Sequence, residues 1–202
     1  MFVTCANILK KINKGPINRS SEVLELIHSD TWGKCRVPGV FGSSYFVSFT
    51  DDYSRESVIY LMKDKSDVPH YFQLYKKDKK LHSRKLIKAL RCDGGTEYKK
   101  IEYGGIKKQT SALYTQHQNG VSESLNRTKI TMARCLLFHA HLPLRFWDAA
   151  ILTSCYLRNR LPINKNNLTP FEIMGGKPSK LYHLKVWGCV CYALIDDKDQ
   201  LR

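Results

Sequence analysis

Three carboxylates, Asp30, Asp93 and Glu123, stand where the chain can aim each of them into one shared site. Asp30 closes the run Leu24-Glu25-Leu26-Ile27-His28-Ser29-Asp30. Asp93 follows Leu86-Ile87-Lys88-Ala89-Leu90-Arg91-Cys92, and Glu123 lies just inside a helix expected to begin near Asn119-Gly120. Two strand ends and a helix start can set three oxygen donors around a pair of divalent cations. Mg2+ (or Mn2+) suits such a set, because hard cations prefer oxygen ligands and keep part of their water. With Asp30 bridging the ions and the other two completing the shell, the chemistry is in-line displacement at phosphorus. A water or a 3′-hydroxyl is activated while the leaving oxygen is stabilised. Each residue also has a plain structural reading. A lone Asp at a strand end is commonly a turn residue. Glu123, four residues before Arg127, suits a helix ion pair and a helix N-terminus. Gly94-Gly95 favours the chemical reading of Asp93, since it leaves open backbone for a phosphate or metal to approach.

The elements that must position these groups follow from hydrophobic period and turn chemistry. Val23 to Asp30 reads as a first strand, and Gly33 to Ser44 as a turn-rich stretch. Tyr45 to Thr50 alternates as a second strand, Asp51 to Arg55 makes a polar turn, and Ser57 to Leu61 returns as a third. Ser66 is placed to cap a helix reaching about Leu81, striped by Val68, Phe72 and Tyr75; Leu86 to Leu90 is the fourth strand. Meander, helix, then a strand able to pair beside the first is the order of a ribonuclease H-like core: α/β, a mixed sheet of antiparallel meander plus parallel strands, flanked by helices. Ile106 to Thr110 admits one short strand. A long helix is expected from Gly120 to His139 with Val121, Leu125, Met132 and Leu136 on one face, and another from Leu144 to Leu161. Thr169-Pro170 starts a short helix, and Val186 to Ile195 reads as a strand. The expected organisation is a linker or remnant over 1–20, the core over 21–140, and a helical extension over 141–202 running into the start of a further β-rich segment.

The chain has 202 residues, 43% hydrophobic and 25% charged, which places it among ordinary globular proteins and not disordered ones. Its formal charge of +15 attracts polyanions. No segment is long and apolar enough to span a bilayer, and the first ten residues lack a signal-peptide layout, so nucleic acid is the better partner. Seven scattered cysteines fit reduced thiols in an intracellular protein better than a disulfide framework, and Cys189 with Cys191 lacks a second pair at zinc spacing. Gln118, Asn119, Asn126, Arg127, Lys129 and Arg134, beside Glu123 in sequence, are the candidate DNA contacts. Lys76-Lys77, Lys79-Lys80, Arg84-Lys85 and Lys88 form a denser basic cluster, read equally well as a solvated helix end. Asp51-Asp52 reads as a turn and salt-bridge pair, because neighbouring strand residues face opposite sides. Glu97 is close enough in sequence to Asp93 to support it. Phe146, Trp147, Tyr156 and Trp187 read as core.

Longer stretches carry a resemblance. Ile27-His28-Ser29-Asp30, Tyr45-Phe46-Val47 through Asp51-Asp52-Tyr53-Ser54-Arg55, Leu90-Arg91-Cys92-Asp93-Gly94-Gly95-Thr96-Glu97-Tyr98 and Tyr114 through Arg127 resemble the integrase of Ty1/copia-type retrotransposons. Leu142-Pro143 with Phe146-Trp147, Tyr156 to Pro162, and Thr169-Pro170-Phe171-Glu172 with Gly188-Cys189 follow in the same order. The resemblance implies a catalytic core that processes DNA 3′ ends and joins them to target DNA, with Asp30, Asp93 and Glu123 as the acidic metal ligands. It implies a nuclear, multimeric protein acting on element cDNA ends and target DNA. It also implies that Cys5 is the remnant of an upstream zinc module and that the chain is a fragment of a Pol polyprotein. Three features depart from the family pattern: Gly94 replaces an Asn, Gln116 replaces a Pro, and the gap from Asp93 to Glu123 is short. These departures motivate a second reading, a catalytically silent nucleic-acid-binding module derived from such an integrase. A ribonuclease H proper is a third, needing one further carboxylate from Glu97 or Asp51-Asp52.

Overall fold

The computed structural model describes residues 19–101, 104–110, 116–163, 167–175 and 177–192, and at 110, 116–119 and 121 the backbone alone. Five strands form one mixed sheet: β1 (Leu26–Trp32), β2 (Tyr45–Asp51), β3 (Ser57–Met62), β4 (Ala89–Cys92) and β5 (Lys107–Thr110), in the spatial order β3-β2-β1-β4-β5. The pairs β1/β2 and β2/β3 are antiparallel, with Asp30 opposite Ser48. The pairs β1/β4 and β4/β5 are parallel, with Ile27 beside Leu90. This is the expected meander joined to parallel strands.

Both faces of the sheet are covered, and the alternation of side chains divides them. Ile27, Val47, Phe49, Leu90 and Cys92 pack with Val68, Phe72 and Tyr75 of α1 (Val68–Ser83), where Phe49 stacks on Tyr75 with ring centres 5.0 Å apart. Phe46 and Ile59 pack on the other face against Ala133 and Leu137 of α2 (Gln116–His139) and against Trp147, Ala150, Ile151 and Cys155 of α3 (Trp147–Arg158). A short α4 (Pro170–Gly175) follows.

Several boundaries differ from those expected. Strand β1 starts at Leu26 because Leu24 has φ 65°, outside extended geometry. The entry to α1 is capped by Asp64, whose Oδ1 accepts from the Ser66 amide at 2.8 Å, so Ser66 lies inside the 3-10 turn that leads in. Helix α2 begins at Gln116, before Gly120, which puts Glu123 in its second turn. Leu125, Met132 and Leu136 are only half-buried; the enclosed stripe runs through Ser122, Asn126, Lys129, Ala133 and Leu137. Within Val186 to Ile195, the described residues 186–192 form no strand, and Tyr192 is 95% exposed. Residues 193–202 lie outside the described residues, as does Cys5; the six described cysteines are free thiols. Among the described residues no helix is long and apolar enough to cross a membrane.

Candidate active site

Asp30 sits near the C-terminal end of β1 on the face that looks toward α2, in the alternating set His28, Asp30, Trp32. Its Oδ2 accepts a hydrogen bond from Asn126 Nδ2 of α2 at 2.8 Å. Half-buried, its carboxyl is pushed above the ordinary range by desolvation. The Asn126 hydrogen bond and the Lys129 charge oppose that shift, whereas Asp93 and Glu123 reinforce it. The three predicted carboxylates thus share one electrostatic neighbourhood.

Asp93 directly follows β4. Continuing the β1/β4 register beyond His28–Arg91 sets Asp93 beside Asp30 and on the same face. The turn after it is an Asx turn: Asp93 Oδ1 accepts from the Gly95 amide at 3.1 Å, and Gly94 takes φ 80°, a left-handed conformation that suits glycine. Two side-chain bonds tie the next segment to β1 on either side of Asp30. Tyr98 and Ser29 share a hydroxyl bond of 2.8 Å, and Thr31 Oγ1 donates to Glu97 Oε1 at 3.1 Å. Sequence reasoning weighed Glu97 but missed the Tyr98 and Thr31 contacts. They join residues 69 and 66 positions apart, and no spacing rule reaches that far.

Glu123 is exposed on α2, one position from the enclosed Ser122. Asp93 is exposed as well. Among the described residues no three acidic, His or Cys groups stand close enough to hold one metal ion as placed. The donor chemistry nevertheless fits a hard divalent cation: three carboxylates, one of them disfavoured as an anion chiefly by burial, with the charges of the other two adding to that.

The candidate DNA contacts separate by exposure. Arg127 and Arg134 are exposed along α2 beyond Glu123. Gln118 and Asn119 lie in the first turns of α2, with side chains outside the described residues. Asn126 and Lys129 are corrections to the sequence reading. Asn126 is 4% exposed and engaged with Asp30, and Lys129 is fully enclosed, so neither can meet a phosphate laid on the surface. The reason is helical period: 122, 126, 129 and 133 fall on the face that α2 turns to the sheet. Burial lowers the Lys129 pKa, while Cys155 and Asp30 pull it up and Arg158 pushes it down; its Nζ has no hydrogen-bond partner among the described residues. Lys79 is likewise buried, paired with Glu56, while Lys85 and Lys88 pair with Glu22.

Asp51 and Asp52 are structural. Asp51 accepts from the Leu24 and Ser54 amides, each at 2.7 Å, and Asp52 takes His28 Nε2 at 2.9 Å and Arg55 at 3.2 Å. Trp147 is core, its Nε1 donating to the Val37 carbonyl.

No protein-family model matches the chain. It is 33% identical over 191 residues, 91% of its length, to the retrovirus-related Pol polyprotein from transposon TNT 1-94 of Nicotiana tabacum. It is 32% identical over 201 residues, 95% of its length, to that from transposon RE2 of Arabidopsis thaliana. The chain spans 14% of each of these relatives. Its fold superposes on the HTLV-2 integrase catalytic core domain, described in complex with magnesium in a trimeric form. The TM-score is 0.56 at 15% identity, over 77% of this chain and 99% of that one. A simian T-cell lymphotropic virus intasome in complex with PP2A regulatory subunit B56 gamma superposes at TM-score 0.62 and 16% identity, over 93% of this chain and 64% of that one. Over most of its length the chain is similar to Ty1/copia-type retrovirus-related Pol polyproteins, and its mixed five-stranded sheet flanked by helices is the ribonuclease H-like fold of the retroviral integrase catalytic cores.

Proposed function

We propose that the chain is a DNA-processing and strand-transferring core that works by metal-dependent phosphoryl transfer at Asp30, Asp93 and Glu123. The observation that carries this is geometric: the β1/β4 register sets Asp93 beside Asp30 on the face toward α2, and Asn126, three residues beyond Glu123 on α2, bonds Asp30. Mg2+ or Mn2+, when bound, would activate the attacking oxygen and stabilise the leaving one. The protein's own share is positioning. Asn126 fixes one Asp30 oxygen, the Asx turn orients Asp93, and the Tyr98 and Glu97 staples hold that turn against β1. Exposed Arg127 and Arg134 supply phosphate contacts along the same helix.

A second reading, a silent DNA-binding module, draws on the separation of the carboxylates among the described residues and on the short Asp93–Glu123 gap, part of which (102–103 and 111–115) lies outside them. Nicking and strand transfer on labelled DNA in Mg2+ and in Mn2+ decide between the two, with Asp93→Asn beside the parent. Products that disappear in Asp93→Asn are expected. Salt-sensitive binding with no products would select the second reading.

A further inference from the structure

Beyond Asp30, the same face of β1 carries Trp32, about 7 Å further along the strand. Trp32 lines a half-open cavity of about 300 Å3 between the strand, α2 and α3. Its floor and walls are apolar and aromatic: Trp32 stacks on Phe46 at 5.3 Å, Trp147 tilts against Trp32 at 5.5 Å, and Ile130, Leu137 and Ile151 close the far side. Its rim is cationic. Lys34, Arg36 and Arg134 are exposed, and among the described residues no carboxylate lines the cavity.

An occupant of this cavity has to be small, flat or apolar in its body, and anionic at its edge. The volume sits at the bottom of the range for small-molecule sites, too little for a helix or a folded partner's loop. Position narrows it further. Ile130 and Arg134 lie one and two turns along α2 from Asn126, so the cavity begins where the candidate active site ends. A DNA end whose reacting phosphodiester lies at Asp30 delivers its neighbouring nucleotide to Trp32.

We propose that this cavity is a subsite for an unpaired nucleobase of the bound DNA, with the base against Trp32 and the adjoining phosphates on Lys34, Arg36 and Arg134. It rests on the DNA-processing reading above. Aromatic stacking of a single base is sequence-tolerant because every base has a π face, and the cationic rim tracks the backbone. The subsite therefore recognises an unpaired end, whatever its sequence, and distinguishes it from a closed duplex.

The half-buried Cys35 thiol lines the same cavity and reports on its occupancy, while exposed Cys189 and Cys191 serve as references. The full chain is alkylated with iodoacetamide and mapped by peptide mass spectrometry in three states: free, with a blunt duplex, and with the same duplex carrying a short single-stranded overhang. Binding of both DNAs is titrated in parallel. The expected result is slower alkylation of Cys35 with the overhang DNA only, and about tenfold tighter binding of that DNA than of the blunt one. Equal affinities with unchanged Cys35 reactivity overturn the subsite but leave the DNA-processing reading standing. No binding of either DNA overturns both. Protection of Cys35 that grows with protein concentration in the absence of DNA overturns the base subsite in favour of a second copy of the chain. Should Cys35 prove unreactive in the free protein, the affinity comparison alone decides.

Discussion

Asn126 is the residue through which β1 and α2 exchange information about Asp30. Its amide nitrogen donates to the carboxylate, and its Oδ1 has no hydrogen-bond partner among the described residues. Asn126→Ala removes that hold. Strand-transfer rate is expected to fall by about tenfold or more, since misplacement of a reacting group by even about 1 Å is costly. Circular dichroism and thermal unfolding should stay close to the parent's; a variant that lost activity only by unfolding would contradict the positioning role. Lys129, three residues on, offers the opposite experiment. An enclosed ammonium with no hydrogen bond is a net burden on folding. Lys129→Met is expected to raise unfolding stability by about 1–3 kcal/mol in urea titrations. The pH dependence has a defined sign. With a folded-state pKa below the ordinary 10.5, the unfolded chain binds more protons between the two values, so the parent gains stability as pH rises through that window. Lys129→Met should flatten that rise, and an unchanged pH profile would remove Lys129 as its source.

At the level of elements, two side chains fasten the end of α3 to the sheet edge at Ser57, where the Cys155 thiol donates to the carbonyl at 3.2 Å. Asn159, just past its end, accepts from the Ser57 amide at 2.9 Å and donates to the Ser57 carbonyl at 2.7 Å. Asn159→Ala would strand the buried Ser57 amide and leave its carbonyl to the Cys155 thiol alone, and a loss of about 1–3 kcal/mol is expected. Hydrogen exchange at the Ser57 amide should quicken far more than exchange in α1; uniform quickening would mean that α3 does not dock locally. The fold's elements were legible where pattern and burial agree. β2 and β3 alternate between turns, and α1 keeps its apolar stripe because α1 meets the sheet through Val68, Phe72 and Tyr75. α2 was legible in length but not in facing. Its inner stripe, Ser122, Asn126 and Lys129, is polar where it covers His28, Asp30 and Ser48, and polar residues at helical spacing look the same whether they face water or a polar layer. The segment from Val186 alternates as a strand should, yet among the described residues it has no strand partner, and pattern alone supplies none. The carboxylates were legible as types at strand and helix ends. What holds them, Asn126 on Asp30 and Tyr98 on Ser29, came from tertiary contact.

Across the molecule the positive charge lies mainly at the surface, with Lys79 and Lys129 the enclosed lysines among the described residues. Of the chain's formal +15, Lys79 is spent on Glu56 inside the core and Lys129 is shut beneath α2, while Arg127 and Arg134 remain on the helix that leads away from the candidate active site. Binding to duplex DNA should therefore be dominated by counterion release, weakening by about a thousandfold between 50 and 200 mM salt if some six phosphates are neutralised. The contrast within one helix is the sharper test. Arg127→Ala should lower the slope of log affinity against log salt by about one, because one exposed phosphate contact is lost. Lys129→Met removes the same formal charge but should leave the slope where it was, since an enclosed ammonium displaces no counterion from DNA. Equal effects of the two substitutions would mean that α2 turns over when DNA binds and brings Lys129 to the surface. An effect of Arg127 alone would fix the exposed edge of α2, beginning at Glu123, as the path of the DNA backbone.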